Sequence, residues 1–382
     1  MSSEPASRFL GFLREHQDEM LEDLKRFVTG ETPSTDKELL DDFASFLSDY
    51  AATAAGGRPE ILPAEVSGNH VRVRWGEEGG GPPIFMLGHY DTVWPAGTLE
   101  IMPCEERDGI VTGPGVFDMK CGLVQGFWAV RALREVAGVE RPIVFLCNSD
   151  EELGSPSSRA LIEDEARLAA TVLVLEPSLD GALKTARKGA GRFHITVKGR
   201  SAHAGGDPTG GVSAIEELAQ LTLQLHSHSD PRGAGTTVNV GVVAGGTRHN
   251  VIAAEASGEV DLRVATQAEA ERMVDVISEL EPHNPEARVR VEGGMIWPPM
   301  ERSEKIAELF KRARVLADEI GFELEEGMTG GASDGCFCAA LGVPVLDGLG
   351  AVGGGAHAVD EHIEVAGLVP RTALVARLLE TL

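Results

Sequence analysis

Apolar residues near the start of the chain recur at helical spacing, with Leu10, Leu13, Met20, Leu21, Leu24 and Phe27 on one face. Pro33 and Ser34 interrupt the period and residues 35–50 resume it, so the chain is predicted to open with helices. Glycines at 56–57 and 79–81, with two prolines, punctuate loops around a strand at 71–75. The pattern then changes. Residues 84–87, 143–147, 172–175 and 343–346 are short, continuous apolar runs. Unbroken runs of that length suit strands buried on both faces of a mainly parallel sheet. Helical stretches at 123–136 and 158–168 lie between them, and this alternation predicts an α/β fold.

The middle of the chain follows another rule. Residues 192–198 alternate as a half-buried strand, 212–226 read as a helix, and 237–243 and 255–264 as strands. A helix at 267–280 and a strand at 287–291 complete the order βαββαβ, the signature of a ferredoxin-like α+β module. Pro298 and Pro299 mark its exit. The predicted organisation is one discontinuous α/β domain, 1–181 with 299–382, carrying an inserted domain at 182–298.

Composition adds little to this picture and charge adds more. Hydrophobic residues make up 42% of the 382 positions, enough to bury a sizeable core without disulfides. Lys and Arg number 34 against 60 Asp and Glu, a net charge of −26. Such a surface repels phosphate backbones and anionic lipid, so nucleic acid and membrane partners are not expected. Cys104, Cys121, Cys147, Cys336 and Cys338 are odd in number and form no CxxC pair, which reads as buried free thiols in a reducing compartment. With no apolar signal core at the N-terminus, the expected location is cytoplasmic.

The chemistry sits where the apolar runs end. Residues 84–87 lead into Gly88-His89-Tyr90-Asp91, 143–147 into Ser149-Asp150-Glu151-Glu152, and 172–175 into Glu176-Pro177. The run 343–346 is followed by Gly353-Gly354-Gly355-Ala356-His357. In open α/β sheets the functional crevice lies at the carboxyl ends of the strands. A lone His or Glu after a strand is ordinarily solvated. Four strands delivering them to one edge is different, because clustered carboxylates repel unless a cation neutralises them. The pattern predicts a metal site. Asp118, in the glycine-rich stretch 113–120, reads by itself as a helix N-cap.

These residues stand in motifs that resemble the M20 metallopeptidases. His89-Tyr90-Asp91-Thr92-Val93-Trp94-Pro95-Ala96-Gly97-Thr98 is similar to the first motif in the carboxypeptidase G2-like, or glutamate carboxypeptidase, branch. Residues 113–120, 150–154 and 176–178 resemble the next three, and Ser201-Ala202-His203-Ala204-Gly205 the lid-domain motif. Gly354-Gly355-Ala356-His357 with Glu361 resembles the last. Each is weak alone, but six in order along nearly the whole chain are specific. The resemblance implies a zinc-peptidase-like mixed sheet flanked by helices, with the insertion acting as a lid and dimerisation domain. It further implies that Asp118 bridges two zinc ions, with His89 and Glu176 completing one site and Glu152 and His357 the other. Cobalt or manganese are conceivable substitutes. Such ligands leave positions for water, and two metals about 3.5–4 Å apart can share it. Glu151 would be the general base, Asp91 would orient the His89 ring, and the Asp118–Met119 peptide bond would be cis. His203 would donate to the oxyanion from the partner subunit of a homodimer paired through the lid.

Carboxylate recognition suits arginine, whose fork matches it. Arg263 and Asn250 match substrate-facing lid positions of the family, and Gly330-Gly331-Ala332-Ser333-Asp334 resembles another segment near the substrate; the alternatives are a salt-bridged strand residue for Arg263 and a helix cap for Asp334. Ala253 stands where proline is expected and Cys121 where glycine is common, and His194, His249, Lys184 and Arg187 receive no role. The implied activity is amide hydrolysis releasing a C-terminal amino acid such as glutamate from a peptide or N-acyl amino acid. N-acyl amino acid deacylase, dipeptidase and aminopeptidase are the alternatives within the family. A non-catalytic scaffold is disfavoured because neither a ligand nor Glu151 is missing, and a dimetal phosphoesterase by the acidic surface.

Overall fold

A computed structural model of the chain describes residues 4–382. They divide into two compact units. One holds the chain up to Ala186, with Arg302–Thr329 and Ser333–Leu382; the other holds Arg187–Glu301 and Gly330–Ala332.

The first unit opens with the expected helices, Glu4–Glu15, Gln17–Thr29 and Lys37–Thr53, whose apolar faces bury Phe9, Leu13, Met20, Leu24, Phe27, Phe43 and Leu47. Asp36 caps the third by accepting from the Leu39 amide at 3.3 Å. Six strands form the main sheet in the order Arg58–Leu62, His70–Trp75, Ile143–Asn148, Ile84–His89, Thr171–Val174, Val345–Leu346. The last four run parallel, and the three longer of them are buried along their whole length. Phe85, Phe127 and Phe145 are at most 1% exposed, and burying each such side chain contributes about 1.5–3 kcal/mol. Arg58–Leu62 and His70–Trp75 pair antiparallel at one edge, so the sheet is mixed and not uniformly parallel. The sequence reading missed Arg58–Leu62 because an exposed edge strand needs few apolar residues.

Two details position chemistry. A side chain at Gly122 would lie 1.9 Å from the Leu175 carbonyl oxygen, so only glycine lets the helix Cys121–Val136 rest on the strand end that precedes Glu176. A small antiparallel sheet sets Gly353–Gly354, His362–Glu364, Ile110–Thr112 and Glu105–Arg107 side by side. It brings the hairpin around His357 against the segment that runs on to Asp118.

The second unit is the expected βαββαβ module. Its four antiparallel strands lie in the order Thr237–Gly245, Glu255–Val264, Gly189–Lys198, Arg288–Trp297. Helices Ala214–His226 and Gln267–Ser278 contribute to a core with Phe193, Ile195, Val197, Val260 and Leu262. Alternate residues, among them Arg192, His194, Glu259 and Arg263, take the other side of the sheet.

No helix among the described residues is long and apolar enough to cross a membrane. The five cysteines are free; four are buried and Cys104 is half-buried.

Candidate metal centre

The parallel register explains how the residues meet. His89 ends its strand opposite Asn148, three residues ahead of Glu151, and Leu87 pairs with Val174, two residues ahead of Glu176. All three therefore emerge at one sheet edge. Asp118 does not cap a helix. The position before Cys121–Val136 is Lys120, and Asp118 is extended (φ −114°, ψ 94°) inside the irregular turn Val116–Lys120. The Asp118–Met119 bond is cis.

The two oxygens of Asp118 face different imidazoles. Oδ1 is 3.3 Å from His89 Nε2, and Oδ2 is 3.4 Å from His357 Nε2. His89 Nε2 is also 3.4 Å from Glu176 Oε1, and His357 Nε2 is 3.2 Å from Glu152 Oε1. The five residues thus fall into two groups that share Asp118. Ligand atoms of His89, Asp118 and Glu152 lie within 4.8 Å of one another.

This donor set fits divalent cations. His89 Nδ1 lies 3.0 Å from the Asp91 backbone oxygen and 3.3 Å from Asp91 Oδ1, so that nitrogen carries the ring proton. Nε2 then presents its lone pair to carboxylate oxygens, a repulsive arrangement unless positive charge lies between them. Asp118 Oδ1 is buried and makes no hydrogen bond in spite of its 3.3 Å approach to His89. Without a metal, protons supply the missing charge. Burial lowers the affinity of His89 for a proton, but Asp118, Asp91 and Glu176 outweigh it and hold the ring well above its ordinary value. Hydrogen bonds to Asp118 and Glu152 push His357 up to about 10. Burial raises Asp118, yet the two imidazoles hold it far below the usual carboxylate range. Burial pushes Glu151 well up, with Asp334, Glu176 and Glu152 adding to it against His89.

Around this centre lies a set of buried acceptors, some of them already in the sequence motifs, whose partners only the structure reveals. Asp91 is fully buried and accepts from Ser34 Oγ at 2.8 Å and from the amides of Glu151 and Glu152 at 3.2 and 3.3 Å. It thereby ties the His89 strand to the turn that carries both glutamates. Asp150 anchors the far side of that turn through Ser157 Oγ and Ser158 Oγ, each at 2.6 Å. Asp334 makes no side-chain cap; it accepts from Asn148 Nδ2 at 2.6 Å and from Ser155 Oγ, and burial pushes it up to about 7. Glu361 is equally buried and accepts from Trp94 and from three backbone amides next to Asp118.

The remaining candidates lie in the second unit. His203 is exposed, and its Nδ1 accepts from the amides of Gly205 and Gly206 at 3.1 and 2.9 Å. Its proton therefore sits on Nε2. Asn250 is also exposed, and its carbonyl accepts from the Ala204 amide at 3.0 Å, linking the two segments. Arg263 pairs with Asp261 through two 3.0 Å bonds, the salt-bridged form that the sequence left open. The carbonyls of Gly331 and Ala332 accept from Arg187 Nη1 at 3.3 and 2.9 Å, which gives Arg187 a part the sequence reading lacked. His194 pairs with Glu259 at 2.7 Å.

Comparison with known proteins gives consistent matches. The model of "Peptidase family M20/M25/M40" matches residues 85–381. Carboxypeptidase G2 of Pseudomonas sp. (strain RS-16) is 31% identical over 308 residues, covering 78% of this chain and 74% of that protein. A succinyl-diaminopimelate desuccinylase of Acinetobacter baylyi (strain ATCC 33305 / BD413 / ADP1) is 28% identical over 335 residues, covering 81% and 86%. Among solved structures, the aminopeptidase PepT of Bacillus cereus ATCC 10987 superposes with a TM-score of 0.77 at 23% identity, covering 95% of this chain and 98% of that one. An M20 family metallo-carboxypeptidase of Sulfolobus solfataricus, Sso-CP2, has a TM-score of 0.71 at 15% identity, with coverage of 95% and 98%. At those identities the structures speak for the fold alone.

Proposed function

The chain belongs to peptidase family M20/M25/M40 and is a hydrolase of that family; from that premise we propose that it is a two-zinc enzyme releasing a C-terminal amino acid, such as glutamate, from a peptide or N-acyl amino acid. The observation that carries the metal reading is the divided orientation of Asp118, one oxygen toward His89 and the other toward His357. His89 and Glu176 would hold one zinc with Asp118, and Glu152 and His357 the second. Bound there, zinc supplies the Lewis acidity that makes water a nucleophile and polarises an amide carbonyl.

The protein's own residues do the rest. Glu151 takes the proton of the attacking water and returns it to the leaving nitrogen. Burial suits it to this, because a carboxyl raised from its ordinary value exchanges protons closer to neutrality. Asp91 keeps the His89 proton on Nδ1 and holds the Glu151 amide, so base and ligand stay in register. His203, whose Nδ1 is taken up by two amides, donates from Nε2 to the oxyanion of a partner subunit's site. Arg263 exchanges Asp261 for the substrate carboxylate, helped by Asn250 and Gly331. A homodimer is supported by the edge strand Thr237–Gly245, where Val242 and Val243 are 61% and 63% exposed. The free thiols suit a reducing, cytoplasmic setting.

A second reading, an N-acyl amino acid deacylase in which the acyl group carries the recognised carboxylate, is favoured by the desuccinylase relative. Two measurements test the proposal. Metal analysis of purified protein is expected to approach about two zinc equivalents per chain. A screen should then favour N-acyl-glutamates and C-terminal glutamyl peptides over N-succinyl amines and free-amine dipeptides. Full activity in strong chelator rules out the metal reading; preference for N-succinyl amines transfers the substrate assignment to the deacylase.

A further inference from the structure

Glu361 is 0% exposed, and both of its oxygens are filled by N–H donors. Oε1 accepts from the Phe117 and Asp118 amides at 2.9 and 3.0 Å. Oε2 accepts from Trp94 Nε1 at 2.8 Å and from the Gly115 amide at 3.0 Å. None of these four partners is a guanidinium or an ammonium group, so the carboxylate makes no direct ion pair, although its charge reaches the buried Lys120 ammonium. An ionised group buried in this way is costly unless its hydrogen bonds are complete. Here they are complete, and every one ends on a segment of the metal centre.

The placement of the donors matters more than their number. Two of the amides belong to Asp118 and its predecessor, so Glu361 grips the irregular turn directly at the shared ligand. The indole belongs to Trp94, five residues after His89. Glu361 itself lies four residues after His357, at the end of a compact turn in which the Ala358 amide donates to Gly355 O at 2.8 Å and the Glu361 amide to Ala358 O at 3.0 Å. His357 has a left-handed backbone (φ 61°), and its side chain is 50% exposed. Its hairpin is held by the pairing of Gly353–Gly354 with His362–Ile363 and, at the end of the turn, by the buried Glu361. One carboxylate therefore ties the aim of Asp118 to the turn that carries His357.

We propose that Glu361 is a positioning residue for the metal centre, setting Asp118 and His357 in register and thereby governing how tightly zinc is held at the position they share. The inference rests on the metal reading above. It also gives the Trp94 part of the first motif a physical task, as a donor to Glu361 from outside the ligand set.

The test is a zinc titration of the full chain after chelator treatment, read by competition with a chromophoric chelator, with cobalt(II) absorption as a second signal. E361Q keeps the size of the side chain but removes its charge and turns an NH2 group toward two N–H donors. It is expected to weaken binding of one zinc equivalent by about 10–100-fold, the usual scale for groups that orient ligands. The cobalt spectrum should change, and the zinc-free melting temperature should fall no more than in Glu165→Gln. Glu165 is a buried carboxylate of the same unit, bonded to Arg72 and Arg74 away from the centre; E165Q should bind zinc as the wild type does. E361D should restore part of the affinity. If E361Q does not fold, W94F removes a single donor and should weaken zinc in the same direction by less; wild-type affinity in W94F then overturns the inference. Wild-type affinity for both equivalents in folded E361Q overturns it directly. A wild-type chain that takes up no zinc at all overturns the metal reading first, and this inference with it.

Discussion

Asp91 and Glu361 in the first unit are buried and bonded to segments far away in the chain, whereas His203 and Arg263 in the second are bonded to residues two or three positions off. Asp91 reaches Ser34 on one side and the Glu151 turn on the other. His203 is held by Gly205 and Gly206, and Arg263 by Asp261. The contrast has a physical sense. Metal ligands must be aimed before the ion arrives, and long-range buried bonds do this because moving one end means unpacking the other. Groups that meet substrate must be able to exchange partners, and short-range bonds at an exposed surface are readily exchanged for others. On the proposed roles, the first unit would hold its ligands in a fixed geometry and the second would leave its contacts open to exchange.

Substitution can test that division. The largest effect is expected at Glu151→Gln, which keeps shape and removes the base: kcat should fall by about two to four orders of magnitude with zinc content unchanged. Loss of zinc in this variant would make Glu151 a ligand and erase its distinction from Glu152. Next comes His203→Ala, for which a lost oxyanion donor predicts a fall of about 10²–10³ in kcat without loss of metal. Mixed with Glu151→Gln under conditions that exchange subunits, it should recover about a quarter of wild-type activity, since random pairing of a two-fold dimer creates one intact site in half of the pairs. Proven exchange without recovery would confine His203 to its own chain or remove it from the reaction.

Asp91→Ala should weaken zinc binding by about 10–100-fold, measured by competition titration. It should also lower the melting temperature, because two amides and Ser34 lose a buried acceptor. His203→Ala should leave the melting temperature almost unchanged, and that difference between the two units is the sharper check. The smallest effect concerns pH. His89 and His357 hold protons in the metal-free centre, so zinc uptake near neutral pH should release about two protons per chain, measurable by calorimetry in buffers of different ionisation enthalpy. His357 sits at about 10 in the folded chain against 6.5 ordinarily. A raised value means that its stabilising contribution is complete below about pH 6.5 and is lost as pH rises through about 10. Zinc-free protein should accordingly melt lower as the pH climbs through that window, while the zinc-loaded form, with the ring held by metal, should not share this loss.

His89, Glu151, Glu152 and Glu176 stood out in the sequence because each follows a run apolar enough to be a buried strand, and a parallel sheet sends such strands to one edge. The βαββαβ order was legible for a similar reason, since alternation along 255–264 and helical spacing along 214–226 are strong local signals. Asp118 was not legible from its own surroundings, where it resembles a helix cap; the family motif singled it out. Strands of two or three residues, such as Gly353–Gly354 and Ile110–Thr112, carry no period at all, yet their pairing sets the His357 hairpin beside the Asp118 segment.

What the sequence determined by itself is therefore the order of elements, the buried runs and the chemical types waiting at their ends, because these depend on side chains a few positions apart. The tertiary structure alone decided that Asp118 turns one oxygen to each imidazole, that Asn148 meets Asp334 across 186 positions, and that Glu361 meets the Asp118 amide across 243. Contacts of that range leave no trace in spacing or period. They exist because buried carboxylates must find donors wherever the fold offers them, and the fold supplies those donors only once distant segments have been packed together.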